Sequence, residues 1–387
     1  MSPGVALFVE ATQARARGDF PPALRLGKRA QRALERETGP ESPAVVAALL
    51  LVGETAADLG RLAEAQTRLD RAAALAAGFP PDGALLLLRL RVDAALGGAL
   101  RLAGRYKEAE ALYRRAIAEA ERMLGRDDAV LVELLNGLGV TCKFSGRFVE
   151  AEAADRRALA IAESTSDGDN QTRATLYHNL GGLAHARGDY ARAEPLASRS
   201  VEIRESLLGA DHAAVAADQA ALAAILAALG RDGEAEALLR HALAVFERAH
   251  GETHPHTAAC LNNLAAILHR RDQSDEAEQL YRRALAVKET LLGDTHPELA
   301  ATLNNLAVLA RADGRPAEAE RLYRRALSCL ESAVESTHPN LTSCLENYAA
   351  LLNEIGRHRE ANALQVRARD STGGKRLPRN PTRGRLG

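Results

Sequence analysis

The chain has 387 residues, more than one ordinary globular core supports, which leaves two domains or a quasi-one-dimensional array. Ala, Leu, Arg and Glu dominate, aromatic residues make up 3% and Trp is absent, a composition of helices held by small interlocking residues rather than of strands. Lys and Arg number 50 against 51 Asp and Glu, so no global field recruits nucleic acid or an anionic membrane, and charge-driven binding must be local.

From the N-terminus, MSPGVALFVEATQ has no basic leader ahead of an apolar run, and no later apolar stretch reaches the roughly 18 residues that cross a bilayer. A cytoplasmic location without membrane contact is expected. Turn-like segments then recur as GDFPPA from Gly18, GRLAEA from Gly60, GRYKEA from Gly104, GRFVEA from Gly146, GDYARA from Gly188, GRDGEA from Gly230, DQSDEA from Asp272, GRPAEA from Gly314 and GRHREA from Gly356. The spacing is 42 residues, with one of 44 between the second and third. Such a period is the signature of a repeat array. Each unit reads as a helix, a left-handed stop at the turn residue, and a second helix where apolar spacing at i, i+3 and i+4 restarts. The predicted units are 1–42, 43–84, 85–128, 129–170, 171–212, 213–254, 255–296, 297–338 and 339–370.

In the seventh unit the helices are expected over about Pro255 to Arg271 and about Asp275 to Leu292. Ala265, Ala277 and Ala284 fall where the two helices approach, with Leu261, Leu264, Leu268, Leu280 and Tyr281 between them. No single pair can bury its apolar faces alone, so each unit relies on its neighbours, and the first unit and the last helix, Arg357 to Asp370, serve as caps. Residues 371–387, with Lys375, Arg376, Arg379, Arg383 and Arg385 among Gly and Pro, are expected to form a disordered basic tail. The cysteines, Cys142, Cys260, Cys329 and Cys344, lack CxxC spacing and read as small buried residues in a reducing compartment.

The strings LNNLAAILHRRDQSDEAEQLYRRALAVKETLLGDTHP (261–297), LNNLAVLARADGRPAEAERLYRRAL (303–327) and AEALYRRAIAEAERMLG (109–125) closely resemble the 42-residue tetratricopeptide repeats of the kinesin light chain family and its bacterial relatives. The resemblance covers nearly all of residues 1–370, more weakly in the first two units. It implies an all-α, right-handed superhelical solenoid of about nine repeats, whose concave groove is lined by the first (A) helix of each unit and receives extended peptides or a partner's helix. It does not imply a motor role, since the family's long heptad coiled coil has no counterpart here.

By the same resemblance, groove positions lie about thirteen, ten, nine, six and three residues before each turn residue. The candidates in the last three units are Asn262, Asn263, His269, Asn304, Asn305, Arg311, Glu346, Asn347 and Asn353, and earlier units continue the track with Asn136, Lys143, His178, Asn179 and His185. An Asn amide carries donors and acceptors, so a ladder of them suits a peptide backbone of any sequence. The competing reading has one Asn of each pair bonding a neighbouring helix and pinning the repeat register. The corresponding residues of the first two units, Phe8, Val9, Leu50 and Leu51, are apolar. If exposed they would form an anchor pocket or a self-association surface; the alternative is a shift of register in divergent units.

Tyr113, Tyr281 and Tyr323 are expected in the interhelical core, each followed by an Arg pair on a solvated face, of which Arg283 and Arg325 are placed to clamp an acidic ligand. His250, His254 and His256 cluster around Glu252 with the density of a zinc site, but His212, His254, His296 and His338 recur with the 42-residue period and so read as inter-repeat turn residues. No phosphate loop, GxSxG, HExxH or Cys-His nucleophile pair is present, so no catalysis and no cofactor or metal are expected. The expected function is a scaffold or adaptor for a protein or peptide ligand; the alternative is a sensor whose groove changes conformation on binding a signalling peptide or effector domain.

Overall fold

The computed structural model describes residues 1–80, 82–164, 170–331 and 339–371, and among them the chain is helical throughout, with no strand. The helices are α1 (Pro3–Ala16), α2 (Phe20–Thr38), α3 (Pro43–Asp58), α4 (Leu62–Ala76), α5 (Gly83–Leu102), α6 (Tyr106–Leu124), α7 (Val130–Phe144), α8 (Phe148–Ser164), α9 (Asn170–Ala186), α10 (Tyr190–Leu208), α11 (Ala213–Ala228), α12 (Asp232–His250), α13 (Pro255–Arg270), α14 (Ser274–Leu292), α15 (Leu299–Ala312), α16 (Pro316–Glu331), α17 (Pro339–Glu354) and α18 (His358–Ser371). Odd-numbered helices are the A helices and even-numbered ones the B helices. Two compact units divide the chain, Met1–Ile203 and Arg204–Gly387.

The turn residue does what its period suggests. Gly18 has φ 81°, and its N–H bonds Arg15 O (2.9 Å) while Asp19 N–H bonds Ala14 O (2.9 Å). This pair of bonds ends α1 and satisfies carbonyls that the last turn would leave open. The second of these bonds repeats as Arg61 to Ala56, Arg105 to Leu100, Arg147 to Cys142, Asp189 to Ala184, Arg231 to Leu226, Gln273 to Leu268, Arg315 to Ala310 and Arg357 to Leu352. Asp272 takes the left-handed position (φ 61°) in place of glycine, which an Asp tolerates better than most residues.

Within a pair, a small residue seven before the turn meets the side chain nine after it. A methyl placed on Gly53 would come 2.6 Å from Leu69, and one on Gly97 would come 2.6 Å from the Tyr113 ring. Ala265, Ala277 and Ala284 are fully buried, as are Ala307 and Ala326, and Tyr113, Tyr281 and Tyr323 are buried in the interhelical core. The four cysteines are buried and free.

In the first unit one apolar core runs from Leu34 through Tyr113 and Leu131 to Leu183, so it is continuous across successive pairs. The second unit has its own, from Leu299 through Tyr323 and Leu345 to Ala368. Leu50 and Leu51, for which exposure in the groove and a shift of register were the two readings, are buried at 3% and 6% exposure, because α3 packs directly against both α1 and α5. Phe8 is half-buried against the first core, and Val9 alone of the four is exposed.

Arg and Glu lock successive B helices. Arg114 bonds Glu110 of its own helix (2.9 Å) and Glu150 of the next B helix; Arg240 does the same with Glu236 (2.8 Å) and Glu276 (2.9 Å), and Arg282 with Glu278 (2.6 Å) and Glu318 (2.8 Å). Arg157 bonds Glu121 (2.5 Å), Arg283 bonds Glu247 (2.8 Å) and Arg325 bonds Glu289 (2.6 Å), each reaching back one unit. Arg283 and Arg325 are therefore committed to these partners and do not stand ready as a clamp. Arg147 holds the Glu110 carboxyl down to about 2. That contribution is present above the ordinary Glu range and is lost as pH falls through about 2.

The periodic histidines cap A helices. Nδ1 of His212 accepts from Ala214 N (3.1 Å), Nδ1 of His254 from His256 N (3.3 Å) and Nδ1 of His296 from Glu298 N (3.3 Å). His338 and residues 372–387 of the expected tail lie outside the described residues, while Ser371 still belongs to α18. Among the described residues no helix is long and apolar enough to cross a membrane.

Capping by an imidazole requires an unprotonated Nδ1. Burial first, then the neighbouring His250 and His256, holds His254 below its ordinary 6.5. Its cap is complete above that ordinary value and is lost as pH falls through the lowered one. His254→Ala is expected to cost about 0.5–2 kcal/mol at neutral pH in urea unfolding, and His254→Asn to keep the cap while reducing the acid sensitivity of the second unit. Identical acid sensitivity of the wild type and the Asn variant would contradict this role.

Candidate functional site

Successive A helices of one unit present equivalent side chains to each other. Nine residues before one turn and ten before the previous one, Asn179 Nδ2 donates to Asn136 Oδ1 (2.7 Å), joining α9 to α7. Asn347 Nδ2 donates to Asn304 Oδ1 (3.1 Å) in the same relation, joining α17 to α15. Asn262 Oδ1 instead accepts from Thr302 Oγ1 (3.0 Å), which also receives Lys288 Nζ (3.0 Å), and Asn305 interacts with the hydroxyl of the buried Tyr281. The pinning reading therefore applies to part of the ladder. All of these Asn residues are nonetheless half-exposed, and a paired amide keeps one NH2 and one C=O group for a further partner.

Asn263 and His178 are half-exposed and Glu346 is exposed. Asn353 Oδ1 meets His358 Nδ1 (3.1 Å), and His269 leaves Nδ1 buried without a hydrogen bond. Three residues before the turn, Arg311 bonds Glu354 through Nε and through Nη2 (2.9 Å each), and Arg15 bonds Glu54 (2.8 Å) and Asp58 (2.9 Å). These two cations are taken up by acids of the next A helix.

At the same position in α5, α7 and α9 the outcome differs. Arg101, Lys143 and His185 have no carboxylate partner within ion-pair distance among the described residues; for the first two, the next A helices carry Phe144 and Ala186 where Asp58 and Glu354 stand elsewhere. The Arg101 guanidinium carbon lies 5.9 Å from the centroid of the exposed Phe144 ring, and its Nε is buried without a hydrogen bond. Phe144 stacks on Tyr106, with ring centroids 5.9 Å apart. Lys143 reaches across bare backbone of α9: a methyl on Gly182 would lie 3.2 Å from its Nζ. Burial first, and then Lys143, lowers the His185 pKa. Arg101 is readable in the sequence as the third unit's member of this column, but its lack of an acid is visible only when the neighbouring helix is compared.

Beneath Lys143 lies Asp155 of α8, nine residues after its turn, where no other unit places a charged residue. It is 3% exposed, its Oδ1 has no hydrogen-bond partner, and Gly139 is bare because any side chain there would overlap the carboxyl. Burial pushes its pKa up to about 7, against a smaller pull from Lys143.

Glu110, Cys142 and Glu150 bring ligand-type atoms together, but the carboxylates serve Arg147 and Arg114 and burial pushes the thiol up. In the histidine cluster the rings stack, His250 on His254 at 4.3 Å and Phe246 against His256 at 4.9 Å, with one nitrogen of His254 used as a cap.

A carboxyl whose folded pKa is raised destabilises the fold increasingly as pH climbs from its ordinary value of 3.8 to about 7, and fully above that. Asp155→Leu would reproduce the Leu69 packing on Gly53. Removal of the unpaired polar group is expected to stabilise the first unit by about 1–3 kcal/mol at pH 8 and by less at pH 5, measured by urea unfolding at both values. An equal gain at both would show that Asp155 does not titrate in this range.

The tetratricopeptide repeat profile (TPR_12) matches residues 88–164, 172–247, 218–290, 261–332 and 298–371. Among solved structures, the apo form of RapI covers 95% of this chain and 97% of its own at 14% identity and a TM-score of 0.67. A Rap protein complexed with competence and sporulation factor covers 96% and 98% at 14% identity and a TM-score of 0.62. The nearly identical TPR-like repeats of a kinesin-light-chain protein from Podosopora anserina cover 53% and 97% at 25% identity and a TM-score of 0.45. No curated protein matches the sequence. With helix pairs closed by one recurrent turn and five matches that together span more than half of its length, the chain belongs to the tetratricopeptide repeat family.

Proposed function

We propose that this chain is a non-catalytic protein-interaction scaffold whose A-helix face binds an extended segment of a partner protein. The observation that carries the reading is the pairing of Asn136 with Asn179 and of Asn304 with Asn347. Each pair spans two A helices and holds its amides at fixed orientation while leaving donors and acceptors open. Such groups match a peptide backbone, whose N–H and C=O alternate regardless of sequence. In the first compact unit His178 extends the face of its pair and Lys143 and His185 border it; in the second, Asn263 and Glu346 extend the corresponding face and His269 borders it. A solved structure of the same fold, the Rap protein, is complexed with competence and sporulation factor, which accords with a ligand-binding role here.

The test uses a display library of random linear peptides against the full chain. Binders are then measured with both members of a pair changed to Ala, Asn136 with Asn179 or Asn304 with Asn347, so that no orphaned amide remains. Affinity is expected to fall about tenfold or more while helical circular dichroism is retained. Unchanged affinity in both double variants would remove the groove from consideration. Small-angle scattering with bound peptide separates the passive scaffold, whose radius stays constant, from a conformational sensor.

A further inference from the structure

Two cations, on α5 and α7, are the feature of this face that the amide ladder leaves unexplained. Arg101 and Lys143 stand at one position of successive A helices, which α9 continues with His185, an imidazole whose pKa is lowered, and no carboxylate pairs with the two cations among the described residues. At the same position Arg15 and Arg311 show the alternative, each held by acids of the following helix. Keeping half-buried cations unpaired costs solvation, and the local sequence maintains that arrangement twice, with Phe144 and Ala186 in place of an acid and with Gly182 bare beneath the Lys143 ammonium. Asp155 is the charged group that faces Lys143 from α8, and its burial leaves it only partly ionised near neutrality.

Spacing then restricts the ligand. α5 packs on α7 and α7 on α9, and directly packed helices lie about 8–10 Å apart. An extended strand covers that distance in three residues at about 3.3 Å each, but its side chains alternate, so residue i+3 points away from the face that residue i meets. A polyproline-II helix rises about 3.1 Å per residue with three residues per turn, which returns the same face after about 9 Å. That repeat matches the step from one A helix to the next.

We propose that the face formed by α5, α7 and α9 binds an acidic polypeptide segment in the polyproline-II conformation, with carboxylates three residues apart seated on Arg101 and Lys143. The proposal rests on the peptide-groove reading and adds the charge, spacing and conformation of the ligand. Arg101 supplies a guanidinium backed by the Phe144 ring, Lys143 an ammonium above Gly182, and the Asn136–Asn179 pair lies on the same two helices for the backbone between the acids. Proline between the acids suits the site, because a preformed helix loses less entropy on binding and the open backbone carbonyls remain free for the amides.

The experiment measures fluorescence anisotropy of the full chain with three labelled peptides: Glu-Pro-Pro repeats, Gln-Pro-Pro repeats, and a peptide of the first composition with its Glu residues contiguous. The Glu-Pro-Pro peptide is expected to bind at least about tenfold more tightly than either other, with affinity falling as salt rises. Arg101→Met and Lys143→Met, which keep the alkyl stem, are each expected to weaken it about tenfold, with the Gln-Pro-Pro peptide unaffected. Equal binding of the Glu and Gln repeats overturns the acidic assignment, and equal binding of repeated and contiguous Glu overturns the spacing; in both cases the groove stands. No binding by any of the three also overturns the proposal, whereas the groove itself falls only with the paired Asn variants. The comparison among peptides on the wild-type chain decides the matter even where a variant is poorly folded.

Discussion

Everything in this protein depends on one close approach, the small residue seven before each turn against the side chain nine after it. The left-handed turn residue brings the two helices back on each other, and the distance at which they meet is set by what fits between backbone and side chain. Gly53 admits Leu69 and Gly97 admits Tyr113, while Ala265 and Ala307 are fully buried at the same place in their pairs. Because interiors tolerate little added volume, this contact fixes the pair, and the pair then offers its neighbours a constant surface to stack on. The periodic core of each unit follows from that constancy.

Polar groups are divided between the two helix sets. B helices are linked by Arg and Glu at recurrent positions, as in Arg282 with Glu278 and Glu318, so their charge is largely spent on holding adjacent repeats in register. A helices are linked by neutral amides too, as in Asn304 with Asn347, which leave hydrogen-bonding capacity over, alongside the ion pairs of Arg15 and Arg311. The near balance of total charge, -1 over the chain, hides the local cations Arg101 and Lys143 of α5 and α7, which the proposed binding face carries unpaired.

Much of this was legible in advance. Period and turn chemistry placed the helix pairs, and α13 and α14 run from Pro255 to Arg270 and from Ser274 to Leu292 where the spacing put them. Burial of Tyr281 and Ala284 followed from the same pattern. What the pattern missed depends on contacts between units. Leu50 and Leu51 are apolar at a groove position and buried, since nothing in a single repeat says how closely α1 and α5 flank α3. The partners of Arg283 and Arg325 lie one unit back, 36 residues away in sequence, beyond the reach of an i, i+4 rule. The periodic histidines were recognised as turn residues, but the capping bond from His254 Nδ1 to the next helix becomes visible only in three dimensions.

Asp155 is where local consistency breaks, and such breaks concentrate at functional or strained places. An apolar side chain on Gly139 would satisfy the packing rule, as Leu69 does on Gly53; an acid there is buried with one oxygen unbonded. Its effect on the face above is electrostatic. As a protonated acid it leaves the Lys143 ammonium uncompensated, and as a carboxylate it partly offsets that charge, so the apparent positive potential at Lys143 rises as pH falls through about 7. The Arg101 guanidinium, on α5, stays charged throughout the physiological range. The two cations of the proposed site therefore differ in their surroundings, since Lys143 lies over the buried Asp155 carboxyl and Arg101 beside the Phe144 ring.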